Sequence, residues 1–344
     1  MRLTPRWIMI AALFTCPMVA APVSESLPPQ LGSRIVRGMA YLARQQQPDG
    51  SFNGFEDVAP AELSTAKAIV AMLAAGQTPA DGRHALVLHN AIGYLLRELT
   101  PDGYFGQSEG SGMSGQDWIT LALAEACGME ADAAQHARLE PLLRSGVSAI
   151  LAMQDRRDAG GAGGWNESGK GAGNLVTTAL TVLALDAARG AGLDVPDDAM
   201  KRAAAFAQSR RAKGQAGFAE KDQQPSALAT AAGVCILLVT RAAGSNELQD
   251  AMKFLGDRRI AQDSADFAVE GYLVTLAHVL TADPDSAKQW TAVWDVLRKQ
   301  QGEDGGWLSP QAENPAAGGA STTEDSLLIL TVPYRLLPLY QRSR

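Results

Sequence analysis

The sequence predicts an all-α protein, an α/α toroid of six helix pairs with outer helices wrapped around an inner ring. Three observations carry this reading. A short clause recurs six times along the 344 residues, at roughly 50-residue spacing, a period that marks repeat architectures. Each clause ends an amphipathic helical pattern and precedes a nearly uncharged one. The chain is 46% hydrophobic, enough apolar surface for a buried inner layer.

The first clause closes RGMAYLARQQQPDGSF, Arg37 to Phe52. It reads basic residue, Gly, Tyr41-Leu42, Gln46, Gly50, Phe52. The second is NAIGYLLRELTPDGYF, Asn90 to Phe105, with Leu99 where Gln46 stood. The third, Ile150 to Trp165, keeps Gln154 and Gly163 around a longer loop. The fourth, Lys201 to Phe218, keeps Phe206 and Gly217-Phe218. The fifth, Ala251 to Phe267, is degenerate. The sixth, Trp294 to Trp307, ends in QGEDGGW from Gln301. The Asp-Gly pairs read as turns, with Gly supplying positive φ.

The segment after each clause reads as an inner helix: Leu63 to Ala75, Asp117 to Ala126, Leu175 to Ala188, Ala227 to Thr240, Val269 to Leu280, and Ser321 to Leu330. These are rich in Ala, Leu and Val, and helices apolar all round are buried. The helices before the clauses carry Arg, Lys, Glu and Gln on one face, as an outer layer requires. An open solenoid is the alternative arrangement of the same pairs.

These clauses resemble the QW motif of squalene-hopene cyclases, and the six-pair pattern resembles the terpenoid cyclase and protein prenyltransferase superfamily. Residues 37–52 fit the motif with Phe in place of Trp, and 301–307 fit its core. The resemblance spans about residues 30–341 as one toroid domain. It implies a structural role for Gln46 and Gln301, tying helix ends together.

The N-terminus, MRLTPRWIMIAALFTCPMVAA, has a basic start, a short apolar run and small residues at Met18 to Ala21. It reads as a secretory signal peptide over 1–21, too short to span a membrane. The expected location is periplasmic or secreted. No later segment reads as an integral membrane span. A net charge of −7 argues against nucleic acid, which wants a basic patch. Cys127 and Cys235 read as buried free thiols.

In such a ring the inner-helix N-termini rim a cavity. Asp117, Trp118, Thr177, Thr178, Tyr272 and Thr323 are the ligand-binding candidates there. Capping or simple polar lining also explains the threonines, as at Thr65 and Thr230. Glu270, Glu324 and Asp325 are the candidate catalytic carboxylates. Glu270 lies in the apolar run FAVEGYLVTLAHVL, where an acid must be paired, pocket-facing or raised in pKa. STTEDSLLIL puts two acids at the last helix start. The resemblance implies a class II cyclase acid there: Thr322 to Ser326 fall on Asp-x-Asp-Asp-Thr, with Glu324 at the proton donor and Thr322 replacing the first Asp.

Several features oppose cyclase chemistry. Aromatic residues are 6%, whereas cationic intermediates want aromatic walls. The length suits one toroid, and squalene-type cyclases use two. His84, His89, His136 and His278 show no zinc-ligand spacing, so no metal or cofactor is expected. GWNESGK, Gly164 to Lys170, lacks the Ser or Thr and the strand of a phosphate loop. It reads as part of a rim loop, with Lys170 available to an acidic ligand. The leading expectation is therefore an exported toroid binding an apolar small molecule or a protein partner at the rim. The alternatives are a terpene cyclase-type enzyme using Glu324, or a secreted toroidal carbohydrate-active enzyme with paired carboxylates. A deep aromatic pocket holding Glu324 would favour an enzyme. A shallow or filled centre would favour a binding scaffold.

Overall fold

A computed structural model describes residues 28, 30–52, 60–100, 103–105, 113, 115–129, 133–154, 162–168, 171–212, 216–258, 266–283, 286–307 and 320–341. The signal-peptide reading over 1–21 and Lys170 lie outside these residues. Twelve long helices alternate among them. The outer set is α1 (Leu31–Gln45), α3 (Ala85–Glu98), α5 (Ala133–Met153), α7 (Asp197–Ser209), α9 (Ser245–Gly256) and α11 (Ser286–Gln300). The inner set is α2 (Ala61–Ala74), α4 (Gln116–Gly128), α6 (Leu175–Gly190), α8 (Ala227–Val239), α10 (Phe267–Thr281) and α12 (Ala320–Thr331).

The inner helices form a closed ring rather than an open solenoid. α2 packs on α4, α4 on α6, α6 on α8, α8 on α10, α10 on α12, and α12 returns to α2. Composition explains the layering. On α8 every residue from Ala229 to Leu237 is buried, so the helix has no face for water. On α1 only Leu31, Ile35, Gly38, Met39, Tyr41 and Leu42 are buried, one stripe of a two-faced helix. No helix among the described residues is long and apolar enough to cross a membrane.

The clauses bolt this ring together. Gln46 Nε2 donates to Gly50 O in its own turn and to Val87 O on the next outer helix. Gln154 does the same with Gly163 O and Ala199 O, and Gln301 with Gly305 O and Arg34 O. The last of these joins α11 to α1 and closes the outer layer. Arg37 and Arg44 add bonds from α1 to the carbonyls of Gly302, Glu303 and Asp304. Glycine is obligatory in the turn at two counts. At Gly50 and Gly305 φ is +94° and +96°, and a Cβ would collide with the carbonyls of Asn90 and Arg37.

A second tie runs inward. The backbone N–H of four clause aromatics donates to an inner-helix threonine: Phe52 to Thr65, Trp165 to Thr178, Phe218 to Thr230, and Trp307 to Thr323. The second repeat lacks its clause glutamine, and Gln116 of α4 replaces it from the inner side. Its Nε2 donates to Gly103 O and Gly146 O, while its Oε1 accepts from Phe105 N. Thr120, in the threonine register of α4, is thereby left with a buried hydroxyl that makes no hydrogen bond among the described residues.

After α12 the chain makes a 3-10 turn, Val332–Tyr334, and a short helix α13, Pro338–Gln341. α13 packs on α4 and α6 and buries Tyr340 completely. Sequence periodicity gave no sign of this plug.

Candidate functional site

Ring order places α4 and α10 opposite each other, three helices apart either way round. Trp118 and Tyr272 nonetheless meet, with ring centroids 5.7 Å apart and planes tilted by 44°. They form an aromatic bar across the diameter. Behind it the Tyr272 hydroxyl shares a 3.1 Å hydrogen bond with the Tyr340 hydroxyl. Both phenols are buried, and burial holds both above their ordinary pKa. The ring centre is thus crossed by side chains, which answers the shallow-or-deep question: the axis is filled at the bar.

A charged cluster lies on one side of the bar, where α12, α2 and α4 are consecutive. Lys67 of α2 donates to Asp325 Oδ1 at 2.9 Å, both about one-fifth exposed. The ammonium also lies 5.6 Å from the Trp118 ring centroid, a cation–π distance. Burial alone would lower the Lys67 pKa. The pull of Asp325, Glu324 and Asp117 outweighs it and raises it. Asp117 stands in the first turn of α4, 4% exposed. Burial pushes it up to about 7, against the opposing bond it accepts from Trp118 N at 2.7 Å.

Glu324 is the most unusual member. It is fully buried, and neither carboxyl oxygen has a hydrogen-bond partner among the described residues. Burial, with the nearby Asp325 charge, lifts its pKa well above the ordinary carboxylate range, which favours the neutral acid. The repeat register sharpens the anomaly. The residue after each tie threonine is Ala66, Ala179 or Ala231, and Leu121 follows Thr120. α10 has Gly271 at this place. Packing of the ring is therefore satisfied in that slot by glycine or by apolar side chains from Ala to Leu, and a carboxyl there is not demanded by the fold.

The other site candidates divide. Thr178 and Thr323 spend their hydroxyls on the clause aromatics. Thr177 is the residue whose N–H the Asn174 side chain caps, and its carbonyl accepts from Thr181. Glu270 is the fourth residue of α10, the register of the tie threonines. It is half-buried and raised by burial and by Asp266. Asp117, Trp118, Glu324 and Asp325 are brought together around Lys67, with Tyr272 closing the wall. Among the described residues no group of His, Cys, Asp and Glu is arranged to hold a metal. Cys127 and Cys235 are buried and are not joined in a disulfide, and burial pushes Cys235 up to about 12. His278 is buried far from the rim, with Nδ1 2.8 Å from Asp283.

Sequence reasoning missed Lys67. The signal was present: the one charge beyond the first turn of the apolar helix AELSTAKAIVAMLA, the same kind of exception that singled out Glu270. A buried Glu125 on α4 repeats it.

No protein-family model and no curated protein sequence matches the chain. Solved structures do match. A D-mannose isomerase superposes with a TM-score of 0.63 at 14% identity, covering 92% of this chain and 99% of that one. Cellobiose 2-epimerase from Bacillus thermoamylovorans B4167 gives 0.61 at 11%, covering 89% and 99%. The GH76A α-1,6-mannanase from Salegentibacter sp. HEL1_6, as an inactive variant with α-1,6-mannotetrose, gives 0.62 at 9%, again covering 89% and 99%. Likeness at such low identity is a likeness of fold. The chain is an all-α, α/α toroid of the architecture seen in these enzymes.

Proposed function

We propose that the protein is an exported toroid that binds a small molecule in the half-ring compartment lined by α12, α2 and α4. The observation that carries this reading is Glu324, a fully buried carboxyl without a hydrogen-bond partner among the described residues, in a slot that other repeats fill with Ala, Leu or Gly. A buried polar group left unsatisfied costs about 1–3 kcal/mol. A ligand that bonds to it recovers that energy. The Lys67–Asp325 pair beside it is partly exposed, so the cluster reaches solvent there. Export rests on the N-terminal sequence pattern. The clause glutamines and glycines support kinship with the squalene-cyclase type of toroid, as scaffold rather than as chemistry.

An enzyme is the second reading, and one observation favours it. Asp117 is pushed up to about 7 and Glu324 well above its ordinary range, so both carboxyls hold a proton more readily than free acids do. Shifts of this kind occur at sites of general acid–base chemistry. The toroid enzymes that superpose on this chain are named for reactions of sugars, which supports a carbohydrate substrate over an isoprenoid. The Trp118–Tyr272 bar, filling the axis, leaves less room for a folded polyene.

Native mass spectrometry of the mature protein from an exporting host tests the binding reading. The expected result is a copurified small mass that is lost in Glu324→Gln. An empty protein at sequence mass, unaltered by exposure to the host's small-molecule extract, overturns it.

A further inference from the structure

A groove of about 320 Å³ lies between the end of α7 and the loop that leads into α8. Ring order puts α8 opposite α2, so this groove is on the far arc from Lys67 and Glu324. A bond of 3.0 Å from Ala219 N to Arg210 O joins its two walls, and one of 3.0 Å from Gln223 N to Glu220 O folds the loop back on itself. Two bases and two acids line it: Arg210, Lys221, Glu220 and Asp222. No two of these four form an ion pair with each other. Arg211, also on the wall, is already paired with Asp250 at 2.9 Å.

Opposite charges in one groove lower their energy by meeting, and here local contacts keep them apart. The Arg210 guanidinium lies 4.9 Å from the Phe206 ring centroid, and its Nη2 donates to Gly173 O at 3.3 Å. No other donor of its fork is used among the described residues. Glu220 Oε1 accepts from Leu175 N, at the start of α6, at 2.6 Å. Both side chains are part-buried and tied to the α6 start by separate bonds. At the mouth, the exposed side chains of Lys221, Asp222, Gln223 and Gln224 make no hydrogen bond among the described residues. The volume is at the small end of small-molecule sites, about 300–1,000 Å³. The lining offers no aromatic platform, because Arg210 covers Phe206. The ligand it suits is therefore small and polar. A ligand of one charge gains little net attraction from two bases and two acids. A ligand that carries both signs close together meets one of each.

We infer that this groove binds the zwitterion of a polar α-amino acid, with its carboxylate on the Arg210 fork and its ammonium on Glu220. A guanidinium fork matches a carboxylate in two parallel bonds. The amides of Gln223 and Gln224 supply donors and acceptors for a polar ligand side chain. This site is independent of the Glu324 cluster, and either can fail alone.

Isothermal titration calorimetry on the full mature protein tests this with L-glutamine, N-acetyl-L-glutamine, which lacks the ammonium, and L-glutamine amide, which lacks the carboxylate. The expected result is binding of L-glutamine, with each blocked form weaker by about tenfold or more. Glu220→Gln keeps a carbonyl for Leu175 N and removes the charge. It is expected to weaken L-glutamine to the level of the N-acetyl form and to leave the N-acetyl form unchanged. Equal binding of the blocked forms overturns the zwitterion class. L-Glutamine binding that is unaltered in Glu220→Gln places the ligand elsewhere and overturns the site. No heat of binding from L-glutamine at millimolar concentration overturns both.

Discussion

Trp118 and Tyr272 sit on helices that face each other across the whole ring, yet their rings approach to 5.7 Å. Contact across a six-helix ring needs two large side chains at matching depth. Tyr272 stands two residues after the tie position of α10, where the other inner helices carry Lys67, Ala122, Leu180, Ala232 and Asp325, and Trp118 stands two residues before Thr120 on α4. The bar borders the charged cluster, since the Lys67 ammonium lies 5.6 Å from the Trp118 ring centroid. Trp118→Ala removes it. Truncating a buried tryptophan costs about 3–5 kcal/mol, and the urea midpoint of unfolding reports that loss. The same variant is expected to lose the proposed ligand binding, because it removes the ring that the Lys67 ammonium packs against.

The outer layer closes through Gln301, whose amide donates to Arg34 O and Gly305 O and whose carbonyl accepts from Arg34 Nη1. Gln301→Ala leaves two part-buried carbonyls and a guanidinium short of partners, at a cost of about 1–3 kcal/mol. Hydrogen exchange should show the loss concentrated in α1 and α11, with α5 and α7 unchanged, since those are held by Gln154. Uniform loss across the ring would mean that closure is not local to this clasp.

Raised carboxyl pKa values make stability depend on pH with a defined sign. Asp117 moves from 3.8 to about 7 on folding, chiefly by burial, and Glu324 also rises. The native state then binds more protons than the unfolded chain between about pH 4 and pH 7. Stability is full below that window and falls as pH rises through it. Asp117→Asn should flatten the fall by an amount on the order of a few kcal/mol. Urea denaturation at pH 5 and pH 7.5 measures it. Stability that climbs across this window in the wild type would contradict the burial of both acids.

Much of the fold was readable in the sequence because the repeat is enforced by short, local chemistry. A Gln that must reach two carbonyls, a Gly at positive φ and an aromatic plug each leave a letter at fixed spacing. The six inner helices fall within a few residues of their expected bounds for that reason. Two substitutions hid from the pattern. Gln116 takes over from the clause position held by Leu99, moving a function from one helix to another. Tyr340 comes from a tail that belongs to no repeat.

The site was half legible. Glu324 and Asp325 stood out as acids at a helix start, and Asp117 and Trp118 as residues of the rim. Their meeting with Lys67, and the span from Trp118 to Tyr272, depend on which helices neighbour or oppose each other around the ring. That is long-range information, and no local spacing carries it. Thr178 and Thr323 looked like pocket lining because a threonine at an inner-helix start serves capping, lining and inter-layer ties equally well. Only the bonds from Trp165 and Trp307 assign them to the ties.

Glu324 decides between a ligand site and a structural cluster. The repeat supplies its own control, since Leu121 fills the equivalent slot on α4. Thermal unfolding of Glu324→Leu in ligand-free protein is the measurement. A functional carboxyl, held unsatisfied for a ligand, predicts that the variant is more stable by about 1–3 kcal/mol, seen as a rise of several degrees in Tm, with ligand binding abolished. A fall in Tm of similar size would show that the carboxyl holds the ring together, and would contradict the assignment of this compartment as a binding site.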